Sequence, residues 1–463
     1  MRLIRWVAVV LVLAVSSNFL EPSAEAAERQ VTYTPLNHCL DNNDNFSHGD
    51  RFLCFDNRET DGPGPGNSTR IMKVEIATGA ESIIYAPQPV LVHPTNSAPG
   101  VIAASYNPVA DEVIFIHGPL VSETPKVGFY AKTNRRGAVA PADGSGKIRF
   151  LDYRDVTSPV TAPGAHRGGT HRHEYSLDGK RIGFTYDDHL LTQYGRTVGM
   201  MMASRKAPGG VTHWTAILVP VVPEGTAKPG ELESAAFDSW IGAKGLMRGF
   251  IGKVKEADGS YQSSLFVVDV PEDIDITTSD SGTQSRYLAP PKGTRVRRLT
   301  HTEAAGIVRG SPDGRRIAYF ANAPDGTRQV FLIDSSGSDR DPDPGKRPVQ
   351  ATFLKGGTKG GTRWHPSGNT IACVSDNGVV VTCVKPGPRF GVSHFLTEHG
   401  PGQILPEALV WSNIGRQLAY NKRVPAKDAS GRALKDFSGH DYQQVFVVAF
   451  PDAGGDGIAD AVE

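Results

Sequence analysis

The sequence predicts an all-β protein, a seven-bladed β-propeller, with six blades as the alternative count. Three observations carry this. Glycine (51) and proline (33) together make about 18% of the 463 residues, against about 12% in an average globular chain, which marks many strands joined by turns. A weak repeat recurs: a polar turn, a glycine, then an alternating apolar strand. Long helical periodicity is absent.

The first element is an export segment. Arg2 and Arg5 precede an apolar stretch over 6–15, and Ala24-Glu25-Ala26 offers a small-x-small cleavage site. The stretch is too short to span a bilayer as a helix, and no later run is long enough to do so. Residues 1–26 are therefore expected to be a signal peptide, 27–451 the propeller and 452–463 a flexible tail, in a periplasmic or secreted monomer. An even count of cysteines, Cys39, Cys54, Cys373 and Cys383, suits disulfides in that compartment. Cys373 and Cys383 flank the hairpin signal Asp376-Asn377-Gly378.

The repeat itself is clearest at Ser311–Phe320 and Ser176–Phe184, then at His365–Cys373 and Ser412–Tyr420. Weaker copies start at Ser47 and Asn107, and a degenerate one at Ile241. The spacing fits blades of about 40–50 residues carrying insertions, whose stacking buries both faces of each small sheet. The first strand, around Gln30–Tyr33, is expected to complete the last blade beside Gln444–Ala449.

Composition removes several functions. With 49 basic and 49 acidic residues, the chain lacks the footprint of a nucleic-acid binder. There is no G-x-S-x-G elbow and no P-loop ending, and Asp41–Asn45 lacks the glycine and glutamate of a calcium loop. The notable constellation is histidine: His166, His171, His173 and His189 fall close together. In a regular strand His171 and His173 share one face, where two imidazoles can ligate a divalent ion. His117 ends an apolar strand before Gly118-Pro119, where an imidazole can act as a general base. Arg135, Arg136 and Arg167 supply positive charge nearby, and Asp187 and Asp188 offer carboxylates.

The Ser-Pro-Asp-Gly-x-x-Ile-Ala-Tyr-Phe pattern resembles the repeats of TolB-like and WD40-like propellers. The runs from Phe115 to Pro119, Asn134 to Gly137, Asp155 to Pro159, Arg167 to His173 and Phe184 to His189 resemble a bacterial TolB-like family that carries a domain-of-unknown-function label. A more distant likeness is to oligogalacturonate lyases, propellers that hold a divalent metal, typically manganese, in the channel. Phe115-Ile116-His117-Gly118-Pro119 is similar to the run bearing their catalytic histidine, and His173-Glu174-Tyr175 to the run bearing a metal ligand. The region around Ile307–Pro312, where further histidine ligands belong, has none.

That resemblance implies a metal-assisted β-elimination on acidic oligosaccharides such as oligogalacturonides. His117 and Arg167 would then be catalytic, His171, His173 and His189 would hold manganese, and Arg135, Arg136 and Asp188 would contact substrate. The competing expectation is a non-catalytic TolB-like periplasmic module. The partner is then an acidic oligosaccharide or an envelope protein, with no nucleic acid and no transmembrane segment after signal removal.

Overall fold

The computed structural model describes residues 28–41, 44–59, 64–93 and 96–450. The predicted signal peptide and the C-terminal tail lie outside the described residues. The seven repeats become seven antiparallel sheets. Each glycine turn joins an inner strand to a second strand. Blade 3 runs Gly169–Tyr175, Arg181–Asp187, Thr197–Ala203 and His213–Ile217, from channel to rim. Blade 4 starts with Leu232–Ile241, so the degenerate Ile241 copy is a true blade. The inner strands of blades 2, 5, 6 and 7 are Val101–Tyr106, Ala305–Gly310, Lys359–Trp364 and Glu407–Trp411. In blade 1 the inner position is filled by irregular backbone, bridged to strand Phe52–Asp56 at Cys39↔Asp56 and Phe46↔Leu53.

The hydrophobic core lies between blades rather than within any one. Apolar clusters bridge blades 1 and 2, 2 to 4, 4 and 5, 5 and 6 and 6 and 7. The ring closes where Leu40, Leu53 and Phe55 of blade 1 pack on Val410, Val445 and Val447 of blade 7. Closure is also hydrogen-bonded. Arg29 and Gln30 pair with Val447 and Phe446 as the outer strand of blade 7, Val31 donates to Val445 O, and Thr32 Oγ1 accepts from Val445 N. A chain starting at Pro35 is expected to lose about 3 kcal/mol, since Val31 leaves its buried site and an edge strand is uncovered. An unchanged thermal melt would contradict this closure.

The inner strands share a device that the sequence does not announce. Each carries one residue in the left-handed region: Asp41, Ala103, Arg172, Phe237, Gly306, Gly360 and Ala408. In blades 2 to 7 the register with the second strand slips there. Such a bulge sets two residues against one and resets the alternation of side chains.

The cysteines correct an expectation. All four are buried free thiols. In the blade 6 hairpin Cys373 lies opposite Val380, and Cys383 opposite Thr370. The two are therefore three pairs apart along the ladder and cannot bridge. Cys39 donates to Gln443 Oε1 of blade 7, whereas Cys54 packs in the core toward blade 2. Among the described residues no helix is long and apolar enough to cross a membrane.

Candidate functional site: the central channel

At one repeat position, two residues before each turn, the blades carry Asn45, Ser105, Glu174, Ser239, Arg309, Arg363 and Val410. Glu174, Ser239, Arg309 and Arg363 border the channel end nearest the turns, whereas Val410 packs in the core between blades 7 and 1. The residue that follows is a tryptophan in blades 4, 6 and 7. Each indole donates to the preceding blade at the ring carbonyl: Trp240 to Glu174 O at 3.0 Å, Trp364 to Arg309 O at 2.9 Å and Trp411 to Arg363 O at 3.3 Å. These bonds lock the blades in register around the mouth.

The ring side chains then bridge the channel. Arg309 reaches back from blade 5 to Glu174 of blade 3 at 3.6 Å and to Ser239 Oγ at 3.4 Å. Arg363 of blade 6 pairs with Asp44 of blade 1 at 2.7 Å. Behind the ring, Arg248 holds Glu174 at 2.9 Å and Asp238 at 2.5 Å and lies over the Trp240 ring. Burial works against the charge of Glu174, but Arg248, Arg309 and Arg172 outweigh it and hold its carboxyl below the usual range. Burial, then the charges of Arg363 and Arg172, lower the Arg309 guanidinium well below its ordinary value. Outside this ring opens a cavity of about 270 Å³, walled by Asp44, Glu174, Arg309, Arg363, Trp364 and Trp411.

The opposite end is polar in another way. A cavity of about 310 Å³ is lined by Asp41, Arg58, Glu407, Asn421 and Gln443. Beside it Arg58 clamps the buried Asp56, whose carboxyl burial pushes up to about 6.

The sequence-predicted residues do not meet at one point. His117 lies between blades 1 and 2. Its ring bonds Gly118 O and, at 3.2 Å, the Tyr85 hydroxyl, and packs edge-on to Phe150. Burial pushes it down to about 4. Arg136 stacks on Phe150 at 3.4 Å and pairs with Glu123.

Arg167 and Asp188 form a 2.7 Å ion pair with both side chains 0% exposed. Arg167 also bonds Arg286 O, and Asp188 accepts from Tyr186 and the backbone of Leu190 and Leu191. This pair staples two loops and turns no atom to solvent.

His171 and His173 share no face. Arg172 takes φ +50°, and Arg172 and His173 together sit opposite Phe184 alone. His171 turns to blade 2, where Arg135 donates to Nδ1 at 2.9 Å. The ring proton is thereby assigned to Nε2, which faces Asp187 at 2.8 Å. Arg196 shares that carboxylate, and Arg135 lies over Tyr130. Burial pushes His171 down to about 3. His173 points into the interior instead, bonding Thr170 Oγ1 at 3.0 Å. Thr170 in turn donates to Asp152, which also faces His166. Burial lowers His173 to about 4. His189, half-buried, contacts Thr133 Oγ1 at 3.1 Å, and burial with Arg154 lowers it.

These donors do not fit the expected manganese site. Both His171 nitrogens face other side chains, and the bulge points His173 elsewhere. Among the described residues no group of three or more His, Cys, Asp or Glu side chains is placed to hold a metal ion. Two pairs of the expected site residues do meet, Arg135 with His171 and Arg167 with Asp188, in contacts the sequence did not announce. Sequence reasoning missed Asp44, Arg309, Arg363 and Arg248. The signal available for two of them was a charged residue at one repeat position in adjacent blades.

A closed ring of seven antiparallel sheets, six of four strands and one of three, around a charged channel defines a seven-bladed β-propeller. A TolB-assigned structure from Agrobacterium tumefaciens is 12% identical, with a TM-score of 0.36 over 81% of this chain and 95% of that one. The WD40 repeats of RRP9 are also 12% identical, with a TM-score of 0.48 over 92% of this chain and 98% of the other. The family described as "Protein of unknown function (DUF3748)" matches residues 99–207. The chain is 30% identical over 427 residues to the uncharacterized protein YidR of Escherichia coli K12, covering 86% of this chain and 95% of that protein. It belongs to the YidR family.

Proposed function

We propose that this protein is an exported, non-catalytic binding propeller that takes an acidic ligand into the mouth of its channel. The observation that supports this reading is a contrast. The expected catalytic and metal-binding side chains are engaged by neighbouring side chains or backbone, while the aromatic and charged wall of the mouth borders an open cavity. Concave sites of this composition are the ordinary place for ligands. Fold alone does not assign a function.

A metal-assisted lyase is the competing reading, drawn from the runs around His117 and His173. It requires His171 to release Arg135 or Asp187 before it can take an ion. One assay separates the two. Three of the four tryptophans in the described residues, Trp240, Trp364 and Trp411, wall the cavity. Titration of the purified protein with oligogalacturonate and manganese is expected to shift tryptophan emission with no ultraviolet absorbance from an unsaturated uronide. Appearance of that product overturns the binding reading. So does emission that stays unchanged with both the uronide and an acidic peptide.

A further inference from the structure

We propose that the channel mouth is a carboxylate site, in which Arg363, with Arg309 beside it, accepts a ligand carboxylate in the place that Asp44 holds in the free protein. This deepens the binding reading and rests on it.

The Asp44–Arg363 pair is asymmetric. The Arg363 side chain is 10% exposed and forms part of the wall, whereas Asp44 is 50% exposed. The cation is therefore built in and the anion sits at the solvent side. Arg363 can reach across to blade 1 because blade 7 carries at the corresponding repeat position the apolar Val410, which is packed in the core and offers no competing polar group. Exchanging one carboxylate for another keeps the guanidinium paired throughout, so entry of a ligand leaves no buried charge unmatched. Planar two-point recognition of carboxylates is what guanidinium groups do best.

The second ring cation behaves differently. Glu174, the partner of Arg309, is buried and is also held by Arg248 and Ser239. That pair stays in place, and only the outer pair is free to exchange. The charge balance favours an added anion. Among the described residues the ring groups the guanidiniums of Arg172, Arg248, Arg309 and Arg363 with the carboxylates of Glu174, Asp238 and Asp44, one fewer. The repulsion of Arg309 by Arg363 and Arg172 is what a further carboxylate relieves.

Two sources carry this chemistry, a uronic acid and an acidic peptide, so both are used as probes. Digalacturonate and the dipeptide Glu-Glu, each beside its methyl ester, are titrated into the full protein and its Asp44→Asn and Arg363→Gln variants. Removal of the resident carboxylate by D44N is expected to tighten the free acid about tenfold, the scale of one exposed charge pair, and to leave the ester unchanged. R363Q is expected to abolish the preference for acid over ester. Whichever probe shows the preference identifies the source. A thermal melt of R363Q confirms that the channel is intact, and D44N is read independently of that result. Equal affinity of D44N and the unaltered protein for the acids overturns the exchange and leaves the binding reading standing. No binding of either probe by any form overturns both.

Discussion

Lowering the pH from 7 to 5 is expected to remove about 4 kcal/mol of stability through three buried histidines and one buried aspartate. The cause is a set of buried neutral histidines. His117, His171 and His173 have folded-state values of about 4, 3 and 4, all set first by burial, against about 6.5 in an unfolded chain. Their folded values are depressed, so the unfolded state binds protons that the native state refuses. Stability from these groups is complete above pH 6.5 and falls as pH drops toward 4, by about 1.4 kcal/mol per pH unit for each histidine. At pH 5 the three together remove about 5 kcal/mol. Asp56 works in the opposite direction. Its folded value of about 6 exceeds the unfolded one, so protonation below pH 6 returns about 1 kcal/mol. Chemical denaturation at pH 7, 6 and 5 reads the slope directly. His117→Gln is expected to reduce it by about two-fifths. A stability that stays flat across this window would contradict the neutral, buried placement of the three rings.

The same histidines show where a sequence can be read and where it cannot. The blades were legible because a polar turn followed by an apolar strand is a local signal repeated seven times, with a glycine in six of the turns. Even the degenerate Ile241 copy pairs as the others do. Closure by the first strand was legible because both partners are apolar alternating segments. The His-x-His geometry was not, because it depended on Arg172 keeping an extended conformation. Only Gly306 and Gly360 of the seven bulge positions are glycine, the residue that would flag a left-handed backbone. The thiols failed for a related reason: the hairpin forms at the Asn-Gly turn, but its register sets Cys373 opposite Val380, three pairs from Cys383. The channel ring was hidden by distance. Glu174, Arg309 and Arg363 are far apart in the chain and become neighbours only when blades are superimposed on the repeat. The stretch around Ile307–Pro312 carries Arg309, which pairs with Glu174 two blades back.

A second departure from the repeat carries the other large effect. Where blades 5, 6 and 7 place Ala318, Ala372 and Ala419 on their second strand, blade 3 has Gly183. The backbone there is ordinary strand paired on both sides, so no turn or left-handed conformation explains the glycine. Arg248 does. A Cβ on residue 183 would stand 1.9 Å from Nη1 and 2.1 Å from Cζ of that guanidinium. The missing methyl is the slot through which Arg248 reaches Glu174, and with it Asp238. Gly183→Ala is therefore expected to expel Arg248 and leave two buried carboxylates short of their cation, at a cost of about 3 kcal/mol. Arg248→Met should cost a similar amount alone, since it removes the same cation without a clash. The two losses should not add. Once Arg248 is gone the alanine meets no guanidinium, so the double variant is expected to fall about 2 kcal/mol short of the sum of the singles. Denaturant unfolding of the four forms completes the cycle. Strict additivity would show that Gly183 serves some end other than passage of Arg248. Coupling of the expected size would tie a one-carbon gap in the repeat to the charge that holds the channel ring together.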